Sequence, residues 1–155
     1  MAVGGGLQSS SDLLLDTGII IRHLRNDTRA DDLLDYLEGI GDVKVSVITL
    51  MEILVGCRSK EEEENSLFLF DRISPLVVDP EVAKKASSLI RKYPNVFGRS
   101  VQRGTPDALI AATAWQQQRT LVTLNTRQFA KVPITELTIR AIDQRARDWV
   151  ATLRI

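Results

Sequence analysis

Four polar residues of the sequence stand where apolar runs end or where helical patterns begin. Asp16 ends the run LLLD, and Glu52 lies one short turn after the run VKVSVI. Asp107 opens the helical pattern PDALIAATA, and Asn125 ends the run TLVTLN. Ligands of open α/β sheets bind in the crevice beyond the carboxyl ends of the strands. In a doubly wound sheet, these four positions would therefore meet at one edge.

Three carboxylates at one sheet edge predict a specific chemistry. Carboxylates a few ångströms apart repel one another, so at least one would bind a proton unless a cation neutralised them. Mg²⁺ prefers oxygen ligands and keeps several waters, which leaves positions for a phosphate and a nucleophilic water. A metal ion lowers the pKa of bound water and offsets the charge that develops on a phosphodiester. The pattern therefore favours metal-assisted hydrolysis of phosphodiesters.

Each acid also has a purely structural explanation. Asp16 could be the N-cap of a helix, because aspartate is favoured there. Thr49 and Glu52 have the spacing of a capping box. Pro106 followed by Asp107 is typical of a helix start, with an acid near the positive end of the helix dipole. All three helices would begin at the same sheet edge, however, and that shared position favours a site over three separate caps.

Short apolar runs alternate with helical patterns along the chain. That alternation is typical of βαβ units and predicts an α/β fold, with a parallel sheet covered by helices on both faces. We predict strands at residues 12–16, 43–48, 75–79 and 120–125, and an edge strand in ITELTI at 134–139.

Helices are predicted between these strands from apolar spacing and capping residues. Leu67, Phe68 and Phe70 should form an apolar stripe on one of them. The segment PNVFGRSVQRGT is predicted to be a loop. The expected helices are about 17–25, a segment that ends at Gly39, about 49–57, SKEEEENSLFLFDRI, PEVAKKASSLIRKY, the pattern from Pro106, and a tail helix that carries Ile142, Ala146, Trp149, Val150 and Leu153.

The composition suits one globular domain. The 155 residues are 44% hydrophobic, and we place a single domain at 12–155, after a flexible leader at 1–11 and with a C-terminal extension from about 133. The net charge is zero, so any contact with nucleic acid must be a local patch. The single cysteine, Cys57, and the lack of a long apolar run lead us to expect a cytoplasmic protein with no membrane contact.

Four ordered blocks of the sequence carry a resemblance to a known family. LLLDTG, VSVITLMEILVG, PDALIAATA and LVTLNTRQFAKVP, between about Leu13 and Pro133, resemble PIN-domain ribonucleases of the VapC toxin type. The resemblance implies a PIN-like parallel sheet of four to five strands sandwiched between helices. It also implies RNA cleavage that depends on Mg²⁺ or Mn²⁺, a homodimer, and inhibition by a cognate antitoxin protein.

The resemblance also assigns roles by position. Asp16, Glu52 and Asp107 match the three catalytic acids that bind the metal in this family. Asn125 matches the fourth catalytic position, where Asp or Asn is usual.

Three positions depart from the family's pattern. Gly18 stands where a small polar residue is common, so an orienting hydrogen bond is lost, and glycine would also permit positive φ. Gln128 stands where an acid is frequent, and Asn125 is neutral. Fewer formal charges imply weaker metal binding, particularly for a second ion.

Several other residues could contact the substrate. Thr17 and Thr126 place hydroxyls near the predicted edge, where they could orient water or phosphate. Arg99 and Arg103 are the nearest candidates for phosphate contacts, because arginine can bond phosphate oxygens in a bidentate manner. His23, the only histidine, is expected to pack or to be solvated.

Other functions remain open at this stage. A non-catalytic PIN-like interaction module would receive a partner's arginine in the acidic pocket, and a PIN nuclease could serve RNA maturation. A phospho-accepting receiver domain would need a lysine at the end of its last strand, which LVTLNT lacks. A haloacid-dehalogenase-type phosphatase would need a second aspartate where Gly18 stands.

Overall fold

The computed structural model describes residues 12–98 and 101–153, with the backbone alone at 101–103. The predicted leader at 1–11 and the side chains of Arg99 and Arg103 lie outside the described residues. None of the helices in the described ranges is long and apolar enough to cross a membrane.

The strands of the described residues form one parallel sheet in the order β3-β2-β1-β4-β5. The central strand β1 (Leu13–Leu15) pairs with β2 (Val43–Ser46) on one side and with β4 (Thr120–Thr123) on the other. The edges are β3 (Pro75–Leu76) and β5 (Ile139–Ala141). The predicted α/β fold with a parallel sheet is therefore confirmed.

Helices pack on both faces of this sheet. Alternate residues of a strand point to opposite faces. Leu13 and Leu15 accordingly pack in one core with Leu33, while Leu14 packs in a second core with Leu89. The helices are α1 (Thr17–Leu24), α2 (Thr28–Ile40), α3 (Val47–Gly56), α4 (Lys60–Arg72), α5 (Pro80–Lys92), α6 (Pro94–Phe97), α7 (Val101–Gln116), α8 (Thr126–Phe129) and α9 (Trp149–Leu153).

The boundary between β2 and α3 differs from the prediction. β2 ends at Ser46, whose hydroxyl accepts the N–H of Ile48 at 3.1 Å. Serine is among the strongest N-cap residues, so the helix begins before Thr49. Thr49 is fully buried inside α3, and the predicted capping box of Thr49 and Glu52 is wrong.

The predicted loop before Asp107 is also wrong. Residues 94–97 form α6, and α7 already begins at Val101, so Asp107 lies inside this helix rather than at its start. The cause is tertiary packing that the local sequence does not reveal. A Cβ on Gly104 would overlap the carbonyl group of Phe97, so only glycine lets α7 pack this closely on α6. This contact extends the helix ahead of Pro106, although proline lacks the N–H that the helix interior uses.

The C-terminal segment is held by α2 instead of forming the predicted long helix. Arg29 Nη1 donates to the carbonyl oxygens of Gln144 at 2.9 Å and Ala146 at 3.0 Å. Its guanidinium carbon lies 4.6 Å from the centre of the Trp149 ring, within range of a cation–π interaction. Within the described part of the segment after β5, helix is confined to α9, and Arg29 binds the non-helical chain that precedes it.

Smaller differences concern element ends and faces. Helix α2 ends at Ile40, one residue beyond Gly39. On α4, Leu67 and Phe68 are exposed whereas Phe70 is buried, so the predicted apolar stripe is wrong in part. The edge strand β5 lies at 139–141 instead of 134–139, and the short helix α8 was not predicted.

We expect Gly104→Ala to destabilise the protein by at least about 2 kcal/mol, because overpacking costs roughly 1–3 kcal/mol even against adaptable side chains and here the obstacle is backbone. Gly39→Ala is the matched control, since nothing lies within 4 Å of a Cβ there, and alanine should stabilise that helix by about 0.5–1 kcal/mol. Urea denaturation measures both. Equal stabilities of the two variants would contradict the packing of α7 on α6.

Candidate active site

The candidate site lies at the carboxyl edge of the sheet, beside the central strand. The chain passes from β1 to β2 on one side and reaches β4, on the other side of β1, only after β3. The strand order therefore reverses between β1 and β4, and open α/β sheets bind ligands at such a switch point. Asp16 directly follows β1, and Asn125 follows β4 by two residues.

Asp16 is fixed through both carboxylate oxygens. Its Oδ1 accepts the N–H of Thr17 at 2.8 Å, and its Oδ2 accepts the hydroxyl of Thr123 at 2.7 Å. The backbone N–H of Asp16 donates to the carbonyl oxygen of Val122 at 2.9 Å. Asp16 therefore caps α1 and, at the same time, is bound to the end of β4.

Glu52 is held by the first helix. The Thr17 hydroxyl donates to Glu52 Oε1 at 2.9 Å, and the Thr49 hydroxyl lies 2.9 Å from the same Thr17 oxygen. A hydroxyl has one proton to donate. Because Thr17 gives its proton to Glu52, Thr49 is the donor to Thr17. The two threonines thus fix the orientation of the glutamate.

Asp107 is held by Gln128, a residue of α8. Gln128 Nε2 donates to Asp107 Oδ2 at 3.1 Å and to the carbonyl oxygen of Val96 at 2.8 Å. Gln128 Oε1 accepts from Asn125 Nδ2 at 2.5 Å, and Asn125 Oδ1 accepts the backbone N–H of Gln128 at 3.2 Å. Asn125 is in this way the N-cap of α8.

One further bond joins these two groups into a single network. The backbone N–H of Asn125 donates to Thr123 Oγ1 at 3.0 Å, and Thr123 in turn donates to Asp16. All four predicted site residues therefore belong to one hydrogen-bonded chain. Its members in order are Glu52, Thr17, Asp16, Thr123, Asn125, Gln128 and Asp107.

The pKa of Asp16 is raised above its ordinary value. Burial is the largest cause, and the negative charges of Asp107 and Glu52 raise the pKa further. The hydrogen bonds from Thr123 and from the N–H of Thr17 lower it, but they do not outweigh burial. The ionised site is therefore an unfavourable concentration of negative charge.

The chemistry of these side chains fits a divalent cation. Carboxylate oxygens are the ligands that Mg²⁺ and Mn²⁺ prefer, and a cation would offset both causes that raise the pKa of Asp16. The arrangement is not a finished cage, because no three acidic, thiol or imidazole side chains within 12–98 and 104–153 stand close enough to hold an ion. Glu52 accepts from Thr17, and Asp107 accepts from Gln128, each through one carboxylate oxygen. Because a carboxylate has further lone pairs, these acids could bind an ion by moving closer together without losing those partners.

The other predicted residues have varied positions. Thr17 belongs to the network, and Thr126 begins α8, directly after Asn125. Arg103 lies in α7 and not in a loop. His23 Nδ1 lies 2.6 Å from Asp31 Oδ1, a structural contact between α1 and α2. Gly18 is an ordinary helical residue without positive φ, so the freedom that glycine offers is not used there.

Two residues of the network were not selected as site residues from the sequence. Thr123 is the last residue of β4 and is fully buried, and a threonine at a strand end beside a predicted site was its only signal. For Gln128, the sequence indicates only the loss of an acid that is frequent in the family. The structure shows instead a neutral side chain with both a donor and an acceptor in use.

The parallel sheet and the network at its switch point define an α/β protein with an acidic site suited to a cation. A model of the PIN domain matches residues 13–134. The chain belongs to the PIN-domain family.

Relatives and solved structures agree with this assignment. The chain is 33% identical to Ribonuclease VapC10 of Mycobacterium tuberculosis over 118 residues, 76% of this chain and 85% of the relative. It is 34% identical to Ribonuclease VapC19 of the same species over 123 residues, 77% and 94% of the two chains. A toxin-antitoxin complex from Klebsiella pneumoniae has a chain with TM-score 0.65 and 27% identity, covering 83% of this chain and 100% of that one. The resemblance to VapC-type PIN ribonucleases is confirmed.

We expect Asp16→Asn to stabilise the metal-free protein at neutral pH. Asparagine keeps the cap and removes the buried charge. Between the ordinary aspartate pKa of 3.8 and the raised pKa of Asp16, the folded chain binds more protons than the unfolded chain, so its stability falls as pH rises. The gain in Asp16→Asn should be on the order of 1 kcal/mol, about 2–4 °C in Tm, and should vanish near pH 4.

Thermal denaturation in EDTA at several pH values measures this effect. Asp71→Asn is the matched control, because Asp71 is exposed on α4 and its substitution should change stability by less than about 0.5 kcal/mol. A lower Tm of Asp16→Asn at neutral pH would contradict the costly burial of this carboxylate.

We expect Gln128→Glu to be destabilising without metal and to bind metal more tightly. The substitution removes the donor to Asp107 and places a second carboxylate beside it, at a cost of about 1–3 kcal/mol. Added Mn²⁺ should recover most of this loss in Tm. Gln117→Glu, at an exposed position, should respond to Mn²⁺ as the unmodified chain does. A Gln128→Glu variant with unchanged Tm in EDTA would show that the bond to Asp107 is not formed.

Proposed function

We propose that this protein is an endoribonuclease that depends on a divalent metal ion and acts as the toxin of a toxin-antitoxin pair in the cytoplasm. The observation that carries the proposal is the hydrogen-bonded network that gathers Asp16, Glu52, Asp107 and Asn125 at the switch point of a PIN fold. The curated relatives named ribonucleases support hydrolysis of RNA. The complex from Klebsiella pneumoniae supports an antitoxin partner.

The residues of the network would have two roles, binding the metal and orienting its ligands. Asp16, Glu52 and Asp107 would hold Mg²⁺ or Mn²⁺, which when bound supplies an activated water and offsets charge on the phosphate. Thr17 and Thr123 orient Glu52 and Asp16, while Gln128 orients Asp107 and Asn125. These hydrogen-bond partners fix the direction of the carboxylate oxygens that would bind the metal. Removing such a partner typically lowers metal affinity or activity 10–100-fold. Thr126 lies beside Asn125 and is a candidate phosphate contact, as are Arg99 and Arg103.

Exposed apolar side chains support a protein partner. Val55 is 81% exposed, Phe68 79% and Val77 65%. Val55 lies in α3, Phe68 lies in α4 and Val77 directly follows β3. Helix α3 contacts both α4 and β3. Large apolar groups collected on one part of a surface mark interaction sites. We propose that a second copy of the chain or the antitoxin covers this part of the surface.

The direct test is cleavage of a panel of structured and single-stranded RNAs by the purified chain with Mg²⁺, Mn²⁺ or EDTA. We expect cutting with either metal and none in EDTA. Asp16→Asn, Glu52→Gln and Asp107→Asn should each lose at least roughly 100-fold in rate, because they remove proposed metal ligands rather than the groups that orient them. Asp71→Asn should cut at the unmodified rate.

The same variants separate the enzyme from its main alternative. Cutting that survives in Asp16→Asn would show that Asp16 acts only as a helix cap, since asparagine caps equally well. A chain that cuts no RNA but binds an antitoxin through Asp16 and Asp107 would instead be a non-catalytic interaction module.

A further inference from the structure

A cavity of about 460 Å³ lies next to the candidate site, between α1, α3 and α4. Glu52 lines it and is at the same time a member of the hydrogen-bonded network. Cavities of roughly 300–1,000 Å³ are the usual size of small-ligand sites. Whatever occupies this cavity therefore lies next to one of the proposed metal ligands.

One wall of the cavity is apolar. Ile21 and Leu24 of α1 and Ile53 of α3 contribute to it, and all three belong to or pack against the core, so this wall is fixed in place. The amide of Asn65, exposed on α4, also lines the cavity. An amide can both donate and accept hydrogen bonds. The cavity thus combines a surface for a flat apolar group with a group that can bond a polar edge.

Two guanidinium groups stand at this cavity. Arg25 directly follows α1 as its C-cap, and Arg58 lies between α3 and α4. Both residues are exposed and line the cavity. Neither takes part in an ion pair among the side chains that the structure describes, unlike Arg29 and Arg119. Arginine binds phosphate with paired N–H donors. Glu52 and Glu62 also line the cavity, but Glu52 accepts from Thr17 and Glu62 accepts the backbone N–H of Arg58. The two guanidinium groups are therefore the groups available to an anionic ligand.

We propose that this cavity binds one nucleotide of a single-stranded RNA, next to the phosphate that is cut. The base would lie on the wall of Ile21, Leu24 and Ile53, with its edge at Asn65, and Arg25 and Arg58 would contact the adjacent phosphates. Proteins read RNA mostly through such splayed bases of single strands. The inference rests on the proposed function and deepens it, because it assigns the residues of this chain that would hold the nucleotide beside the cut.

The test is equilibrium binding of a labelled random-sequence RNA hexamer, measured by fluorescence anisotropy with Arg25→Gln, Arg58→Gln and Arg22→Gln. Arg22 is exposed on α1 and does not line the cavity, so Arg22→Gln is the matched control. We expect Kd to rise about 5–20-fold in each of the first two variants and less than 2-fold in the control. The slope of log Kd against log salt concentration should fall by about 0.7 for each lost phosphate contact.

A second measurement uses the RNA that the unmodified chain cuts. Arg25→Gln and Arg58→Gln should raise KM with kcat changed less than about 2-fold, because the lost contact acts in the ground state and the transition state alike. Arg25→Lys should recover part of the affinity. All variants should keep the Tm of the unmodified chain, since the replaced side chains are exposed.

The outcomes separate this inference from the proposed function. Metal-dependent cutting by the unmodified chain, with hexamer binding equal in all variants, would leave the nuclease in place and overturn the nucleotide site. Variants that keep their affinity for RNA but bind the antitoxin more weakly would show that the cavity is a protein-docking site, which also overturns it. An unmodified chain that cuts no RNA would contradict the proposed function, while the hexamer binding would still decide the inference.

Discussion

The carboxylate of Asp16, buried at the end of the central strand, is the constraint on which the site depends. Burial makes its charge costly, and the neighbouring acids increase that cost. Among the side chains that the structure describes, Asp16 is bound by neutral donors, the N–H of Thr17 and the hydroxyl of Thr123, and not by a cationic group. A nearby lysine or arginine would stabilise the resting charge but would compete with an incoming cation. The site therefore carries uncompensated negative charge that a divalent cation can neutralise.

Polar side chains connect this site to four further helices, α3, α6, α7 and α8. Thr17 connects Asp16 to α3 through Glu52, and Gln128 connects α8 to α7 through Asp107. Gln128 also binds the carbonyl group of Val96 in α6. Because hydrogen bonds inside a protein strengthen one another in networks, the orientation of each acid depends on residues distant in sequence. The position of α7 matters for the same reason, since Gly104 sets its distance from α6.

Much of this arrangement could be predicted from the sequence, because strand ends and helix patterns carry local signals. The runs around Leu14, Val45 and Val122 predicted the parallel sheet, and the rule for switch points then placed Asp16 and Asn125 at one edge. The remaining errors arise from contacts that no local pattern encodes. The start of α7 depends on backbone packing at Gly104, and the role of Gln128 depends on a partner 21 residues away. The sequence shows that Gln128 stands where the family often has an acid. It does not show that the Gln128 amide connects Asp107 and Asn125.

The segment after β5 is attached to α2, and this contact determines where the domain ends. The match to the PIN domain stops at residue 134, yet Trp149 and Leu153 are buried in the same core as Leu33 and Leu37, and Arg29 holds the chain that leads to them. A chain cut back to the family boundary would expose leucines that the tail now covers, and it would lose the edge strand β5 as well. The hydrophobic core of this protein thus extends beyond the segment that matches the PIN domain, because Trp149 and Leu153 are part of it.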